Sequence, residues 1–135
     1  MTDITSTAIA AVIPAAGIGK RMQSTLPKQY LTLHGKTILE HSVARLQATG
    51  LVSQFWLALA PDDTYFEQTA LAHSDIHRVK GGAERMHSVF NALNIIDAQQ
   101  YPWVLVHDAA RPLVQQQDIL QLMHTCVSAN QGGIL

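Results

Sequence analysis

Two glycines and two adjacent cations follow an apolar run near the N-terminus, and residues of these types at this spacing suit phosphate chemistry. The segment VIPAAGIGKRM runs from Val12 to Met22, and Lys28 follows shortly after it. Small residues let a backbone approach a ligand closely and turn its N–H groups toward it, while lysine and arginine supply positive charge. An apolar strand that opens into such a loop is typical of an anion site. The sequence therefore predicts a phosphate cradle with cations at its rim.

Spacing excludes two better-known phosphate loops. A Walker A loop has four residues between its first glycine and the Gly-Lys-Ser/Thr triplet, whereas a single residue separates Gly17 from Gly19 here and no hydroxyl residue follows Lys20. A dinucleotide fingerprint would place a third glycine where Met22 stands. A phosphate loop of another class and a basic strand-to-helix turn remain as alternatives.

The elements that must position this loop alternate between apolar runs and amphipathic stretches. Strands are predicted at 8–13, 55–60, 76–79, 103–107 and from 134 onward, and helices at 37–50, 62–71, 86–96 and 119–127. Thr37 and Glu40 have the spacing of a capping box, and Asp62 and Asp63 suit the first turn of the second helix. The alternation predicts an α/β, Rossmann-like architecture: a mostly parallel sheet with helices on both faces.

Three loops that carry polar or glycine residues each follow a predicted strand. They span residues 14–22, 80–88 and 107–112. Ligands of open parallel sheets bind outside the carboxyl ends of the strands. We therefore expect the three loops to converge on one crevice.

Composition fits a single domain spanning residues 1–135. The chain is 47% hydrophobic with a formal charge of −1, so charge favours a small anionic ligand over nucleic acid or an anionic membrane. Cys126 is the one cysteine, which rules out a disulfide framework or a zinc cluster of thiolates. No apolar run approaches the roughly 20 residues of a spanning helix, and Met1 to Thr7 do not read as a signal peptide. We expect a cytoplasmic protein.

Four motifs, in this order, resemble those of the 2-C-methyl-D-erythritol 4-phosphate cytidylyltransferase family: PAAGIGKRM at 14–22, PKQY at 27–30, GGAERMHSV at 81–89 and VHDAARP at 106–112. The resemblance runs from about Ala10 to the last residue. Because family members are considerably longer, the chain resembles the N-terminal part of a nucleotidyltransferase domain, of the nucleotide-diphospho-sugar transferase type. The resemblance implies transfer of CMP from CTP to 2-C-methyl-D-erythritol 4-phosphate, with release of pyrophosphate, in non-mevalonate isoprenoid synthesis (the MEP pathway). It also implies Mg²⁺ or another divalent cation, and a homodimer in the complete protein.

The resemblance assigns roles to individual positions. Arg21 and Lys28 are the implied catalytic cations, Asp108 the metal ligand and Arg111 the partner of the second substrate's phosphate. The implied CTP-binding positions are Pro14, Ala15, Ala16, Gly17, Gly19, Gly81, Gly82, Ser88 and Ala109. Ala83 departs from the family pattern, which often has an acid there, so side-chain contact with the base is in doubt at that point.

The residues themselves leave alternatives at several positions. Asp108 follows an apolar strand, where a carboxylate can hold Mg²⁺ with substrate phosphates or simply close a loop. Arg21 is either a charge donor or a solvated surface residue, and Arg85 either orients its loop or caps the surface. We interpret His107 as structural.

The sequence shows no evident general base, which agrees with a phosphate nucleophile. A phosphate monoester oxygen is already ionised near neutral pH, so the site must screen repulsion between anions rather than remove a proton. A nucleotidyltransferase for another sugar phosphate or for molybdopterin, and an inactive nucleotide-binding module for the isolated 135 residues, remain as alternatives. We also expect that a fragment ending at Leu135, made alone, has an unpaired sheet edge and no activity.

Overall fold

A computed structural model describes residues 7–16 and 26–133, and a four-stranded parallel sheet lies at the centre of this part. The strand order is β5-β4-β1-β6, and β2 and β3 form a separate antiparallel hairpin. In chain order the elements are β1 (Ile9–Ala15), β2 (Thr32–Leu33), β3 (Lys36–Thr37), α1 (Ile38–Gln47), β4 (Val52–Leu59), β5 (His77–Lys80), α2 (Arg85–Leu93), β6 (Trp103–Val106) and α3 (Gln116–Ala129). Short 3₁₀ turns lie at Lys28–Tyr30, Phe66–Gln68 and Ala70–His73.

The central strand β1 is apolar on both faces of the sheet. Val12 pairs in register with Trp56 of β4 and with Val106 of β6. Alternate β1 residues point to opposite faces, as the strand period requires. One face packs with α1 and α3, and the other packs with α2. The predicted α/β architecture with helices on both faces is confirmed.

Helix α1 begins at the predicted capping box. The backbone N–H of Glu40 donates to Thr37 Oγ1 at 3.1 Å, and the backbone N–H of Thr37 donates to Glu40 Oε1 at 2.9 Å. Burial raises the pKa of the Glu40 carboxyl, but the hydrogen bonds from Thr37 and Ala70, together with the charge of Lys36, hold the pKa below its usual value. The cap fixes where α1 starts and therefore how its later residues face the sheet.

The prediction of a helix at 62–71 is wrong. The segment forms two separate 3₁₀ turns, because Asp63 closes a local turn and Thr69 interrupts the helical path. Asp63 Oδ1 accepts hydrogen bonds from the backbone N–H groups of Tyr65 and Phe66, at 2.8 and 2.9 Å. Thr69 is extended, with φ −91° and ψ 159°. Aspartate competes with helix formation through such local bonds.

The other predicted elements are present with shifted ends. Strand β4 begins at Val52, ahead of the predicted residue 55, and α2 ends at Leu93, ahead of the predicted residue 96. The strand predicted from residue 134 lies outside the described residues. In residues 7–16 and 26–133, no helix is both long and apolar enough to cross a bilayer.

Candidate active site

The loop after β1, called the β1 loop and described for residues 14–16, meets the loop after β5 at Gly81. A Cβ atom at this position would lie 2.1 Å from Ala16 Cβ and 3.0 Å from the carbonyl oxygen of Leu59. The backbone N–H of Gly81 donates to that same Leu59 oxygen at 2.7 Å. Real Cβ atoms do not approach so closely, so only glycine lets these two loops touch. Two of the three predicted loops are therefore brought together, with Ala15 and Ala16 buried at the junction.

Gln29 attaches the PKQY segment to the end of β1. Its side chain is 6% exposed, and Nε2 donates to the carbonyl oxygen of Ala15 at 3.0 Å. The next residue, Tyr30, donates from its hydroxyl to Asp63 Oδ2 at 2.6 Å. Burial, with this bond to Asp63, raises the pKa of Tyr30. The exposed Lys28 therefore precedes two anchored residues at the carboxyl edge of the sheet.

The glycine loop after β5 is closed by the first turns of α2. The backbone N–H of Gly82 donates to Ser88 Oγ at 3.0 Å, and Ser88 is 1% exposed. The hydroxyl of Ser88, an implied CTP-binding position, therefore also supports the backbone of this loop. Ala83 is exposed in this loop and has no polar side chain to offer a ligand.

Asp108 follows β6 and forms an ion pair with Arg85. Arg85 Nε lies 3.0 Å and Nη2 2.9 Å from Asp108 Oδ1, and both side chains are about half exposed. Of the two roles open for Arg85, this contact supports the orienting one, because it ties the start of α2 to the loop after β6. We call residues 80–88 the β5 loop and residues 107–112 the β6 loop. The β5 and β6 loops are therefore joined by a charge pair.

A cavity of about 500 Å³ lies beside β6 and α3, and charged side chains line one end of it. Arg85, Asp108 and Arg111 are the charged residues in its wall, and β6 and α3 supply most of the remainder. Two guanidinium groups and one carboxylate leave a net positive charge at this end. Guanidinium groups bind phosphate bidentately, so this end suits a phosphorylated ligand.

The β6 loop is held from below by α1. Ser42 Oγ donates to the carbonyl oxygen of Ala109 at 3.0 Å, and the backbone N–H of Arg111 donates to Ser42 Oγ at 3.2 Å. Arg45 Nε donates to the carbonyl oxygen of Pro112 at 3.0 Å. The Ala109 side chain is buried, which leaves the loop backbone and the side chains of Asp108 and Arg111 to face a ligand.

His107 ends β6 as a buried residue. Its backbone N–H donates to the carbonyl oxygen of Val12 at 3.0 Å, and its Nδ1 lies 2.9 Å from the carbonyl oxygen of Asp108. A carbonyl only accepts, so Nδ1 carries the hydrogen, and Nε2 of the neutral ring is a buried acceptor that no described residue pairs. Burial lowers the pKa of His107, partly offset by the bond to Asp108. These contacts suit the structural interpretation.

A metal could use the carboxylate of Asp108. In residues 7–16 and 26–133, no three histidine, cysteine, aspartate or glutamate side chains gather in one place. A lone carboxylate does not make a protein cage, but it fits Mg²⁺, which takes one or two carboxylates together with substrate phosphates. Gly17, Gly19 and Arg21 lie outside the described residues.

The comparisons with known proteins agree with this arrangement. The sequence profile of the 2-C-methyl-D-erythritol 4-phosphate cytidylyltransferase family matches residues 9–135. This chain belongs to that family. Membership in the cytidylyltransferase family confirms the resemblance and does not favour a transferase for another sugar phosphate or for molybdopterin.

Individual members of the family match most of the chain. The curated cytidylyltransferases of Colwellia psychrerythraea and Vibrio vulnificus are 54% and 52% identical to it, over 92% and 96% of its length. The crystal structure of the Francisella tularensis cytidylyltransferase is 36% identical and covers 90% of this chain and 53% of that one, with a TM-score of 0.73. The match covers 51% of the Colwellia protein and 56% of the Vibrio protein, so the chain spans about half the length of these relatives.

Sequence reasoning missed two of the residues that position the site. The sequence assigns no role to Gln29, although it stands in the PKQY motif, or to Ser42 within the helix predicted at 37–50. In both cases the available signal was a polar residue at a buried position: Gln29 beside the apolar Tyr30 and Leu31, and Ser42 next to Val43. Their partners are distant in sequence, so local pattern could not identify them.

Proposed function

We propose that the complete protein transfers CMP from CTP to 2-C-methyl-D-erythritol 4-phosphate and releases pyrophosphate, a step of non-mevalonate isoprenoid precursor synthesis. The single observation that carries the proposal is the joined loop cluster. The β1 and β5 loops touch at Gly81, and the β5 and β6 loops are linked by Arg85 and Asp108. The family match supplies the substrates. Residues 1–135 would belong to one nucleotidyltransferase domain.

The nucleotide would lie over the β1 and β5 loops. Backbone groups of Ala15 to Gly19 would hold the β- and γ-phosphates, and Gly81, Gly82 and Ser88 would contact the cytosine. Lys28, with Arg21, would neutralise charge that gathers on the α-phosphate and on the departing pyrophosphate. The exposed position of Lys28, next to the Gln29 anchor, supports this role.

The second substrate would bind at the β6 loop. Arg111 would pair with its phosphate, and an oxygen of that phosphate would attack the α-phosphorus of CTP. The nucleophile is already an anion, so the chain needs cations to bring two anions together and no base to remove a proton. The positive end of the cavity supports this placement.

We propose Mg²⁺ or another divalent cation as the cofactor, held by Asp108 and by the phosphates of CTP. The bound ion would supply positive charge that offsets the negative charge of the triphosphate.

We also propose a cytoplasmic homodimer for the complete protein. The free, buried Cys126 is compatible with a reducing compartment. Light scattering of the complete protein would measure its oligomeric state.

Pyrophosphate release by the complete protein tests the proposed reaction. We expect turnover with CTP, Mg²⁺ and 2-C-methyl-D-erythritol 4-phosphate, and little with UTP, GTP or ATP, or with other sugar phosphates. Lys28→Ala supplies an inactive comparison, and Lys36→Ala, a lysine in the exposed β2–β3 hairpin, supplies a matched control. Equal rates with all nucleotides, or with an unrelated sugar phosphate, would contradict the proposed specificity.

A further inference from the structure

Ser42 is the one polar residue on the otherwise apolar, buried side of α1. It is 0% exposed, and its neighbours on that side, Leu39, Val43 and Leu46, are equally buried. A serine in a helix commonly satisfies its hydroxyl on a carbonyl of the preceding turn. The Ser42 hydroxyl instead bonds to Ala109 of the β6 loop, 67 positions later in the chain. The hydroxyl therefore connects two distant elements.

The two bonds of Ser42 bracket one turn of the β6 loop. The hydroxyl donates to Ala109 O and accepts from Arg111 N, so one atom fixes both the carbonyl before Ala110 and the N–H after it. Ala109 follows Asp108 directly. A single side chain thus sets the path of the backbone between Asp108 and Arg111, the carboxylate and the guanidinium of the proposed site.

Helix α1 is a suitable support for such an anchor. Its start is fixed by the capping box of Thr37 and Glu40, and its buried face packs into the core cluster. Arg45, one turn after Ser42, bonds to the carbonyl of Pro112 and holds the other end of the loop. The loop is therefore positioned by a helix that is capped at its start and packed into the core along the face that bears Ser42.

We propose that Ser42 is a positioning residue, which sets the separation of Asp108 and Arg111 and so the place of the phosphate of the second substrate. This inference rests on the proposed function. A displacement of about 1 Å in a reacting group can reduce catalysis by as much as ~100-fold. Ser42 contacts no substrate in this scheme and acts through Arg111.

A double-mutant cycle in the complete protein tests this role. Ser42→Ala should lower kcat/KM for 2-C-methyl-D-erythritol 4-phosphate by about 10- to 100-fold. In an Arg111→Ala background the same change should cost less than about twofold, because the residue through which Ser42 acts is already gone. An equal loss in both backgrounds would overturn the proposal.

Matched variants separate positioning from loss of stability. Val43→Ala removes buried volume from the same helix but removes no hydrogen bond to the loop, because valine has no polar side-chain atom, so it should leave kcat/KM near that of the wild type. Ser42→Thr keeps the hydroxyl and should restore most of the activity. If Ser42→Ala does not fold, Ser42→Cys takes its place, since a thiol is somewhat larger than a hydroxyl but is a weaker hydrogen-bond donor and acceptor. Equal kinetic losses in the Val43 and Ser42 variants would overturn the proposal.

Amide hydrogen exchange gives a readout that does not depend on turnover. The Arg111 N–H is bonded directly to Ser42, so Ser42→Ala should speed its exchange by about tenfold, the scale of one lost hydrogen bond. Val43→Ala should not single out this amide. Absence of pyrophosphate release by the wild type would contradict the proposed function alone, and unchanged Arg111 exchange in Ser42→Ala would overturn the anchor.

Discussion

Lys28 precedes two residues that the fold holds in place. Gln29 bonds to the carbonyl of Ala15, and Tyr30 bonds to Asp63, so the backbone on one side of Lys28 is fixed at both the sheet and the loop after β4. A charge on an anchored backbone is preorganised, and preorganised charges stabilise a transition state more than mobile ones do.

We therefore predict that Lys28→Ala in the complete protein lowers kcat by at least ~100-fold, with a smaller effect on CTP affinity. Arg21→Ala should behave in the same way, and Lys20→Ala should be milder. Steady-state kinetics of pyrophosphate release provide the measurement, with Lys36→Ala as the control. A Lys28 variant with the kcat of the wild type would remove this lysine from the mechanism.

Asp108 and Arg85 allow the metal role to be separated from the ion pair. Asp108→Asn removes the charge, so the Mg²⁺ concentration for half-maximal rate should rise sharply. Arg85→Gln breaks the same ion pair but leaves the carboxylate free, so its Mg²⁺ requirement should stay the same or fall. Magnesium titrations of both variants distinguish the roles. A parallel increase in both would indicate that Asp108 serves only the ion pair.

At the scale of residues, sequence locates the polar groups of the strand-end loops better than the groups that hold those loops in place. Asp108 and Arg111 stand in a motif directly after an apolar strand, which is a local signal. Gln29 and Ser42 act on partners 14 and 67 positions away, so their roles exist only after the chain has folded. Local pattern contains no information about which carbonyl will lie opposite a buried amide or hydroxyl.

At the scale of elements, the strand-end loops depend on close approach of backbones. The β1 and β5 loops meet where Gly81 lies against Ala16, and no other residue type fits the gap. Gly81→Ala should lower the free energy of unfolding by about 1–3 kcal/mol, the usual range for overpacking a tight contact. It should also weaken CTP binding, since the β5 loop must move away from β1.

Urea unfolding of the complete protein measures the effect of Gly81→Ala. Gly132→Ala is the matched control, because a Cβ there would meet no atom of residues 7–16 and 26–133 within 4 Å, and we expect a change within about 0.5 kcal/mol. Equal stability of the two variants would show that the β1–β5 contact is not tight in solution.

Sequence predicted most elements correctly because their signals were periodic and long. The capping box of α1 and the apolar runs of β1, β4 and β6 are examples of such signals. The prediction for the segment after β4 is wrong because two acids suggest the start of a helix. Asp63 instead accepts hydrogen bonds from the backbone of Tyr65 and Phe66 and closes a turn. Acids favour a helix N-terminus, but they also favour turns, and here the turn prevails.

At the scale of the whole molecule, two groups link folding to pH. His107 has a lowered pKa because it is buried, so the unfolded chain binds a proton that the folded chain rejects as pH falls below about 6.5. Glu40 has a lowered pKa because burial, which raises it, is outweighed by the hydrogen bonds from Thr37 and Ala70 together with the charge of Lys36. The contribution of Glu40 to stability is fully present above about pH 4.5 and is lost as the pH falls through the pKa of Glu40 in the folded protein. Both groups make the protein less stable in acid, in two separate windows.

We therefore predict that the free energy of unfolding of the complete protein decreases from pH 7.5 to 5.5, by at most about 1.4 kcal/mol per pH unit for one proton. His107→Asn places an amide near the Nδ1 position, keeps a donor for the Asp108 carbonyl, and should flatten this decrease. Glu40→Gln should leave this window unchanged and flatten only the further decrease below about pH 5. Urea unfolding at half-unit pH steps provides the measurement. If His107→Asn kept the full decrease between pH 7.5 and 5.5, another group would be responsible for it, and burial of His107 would not govern stability at mildly acidic pH.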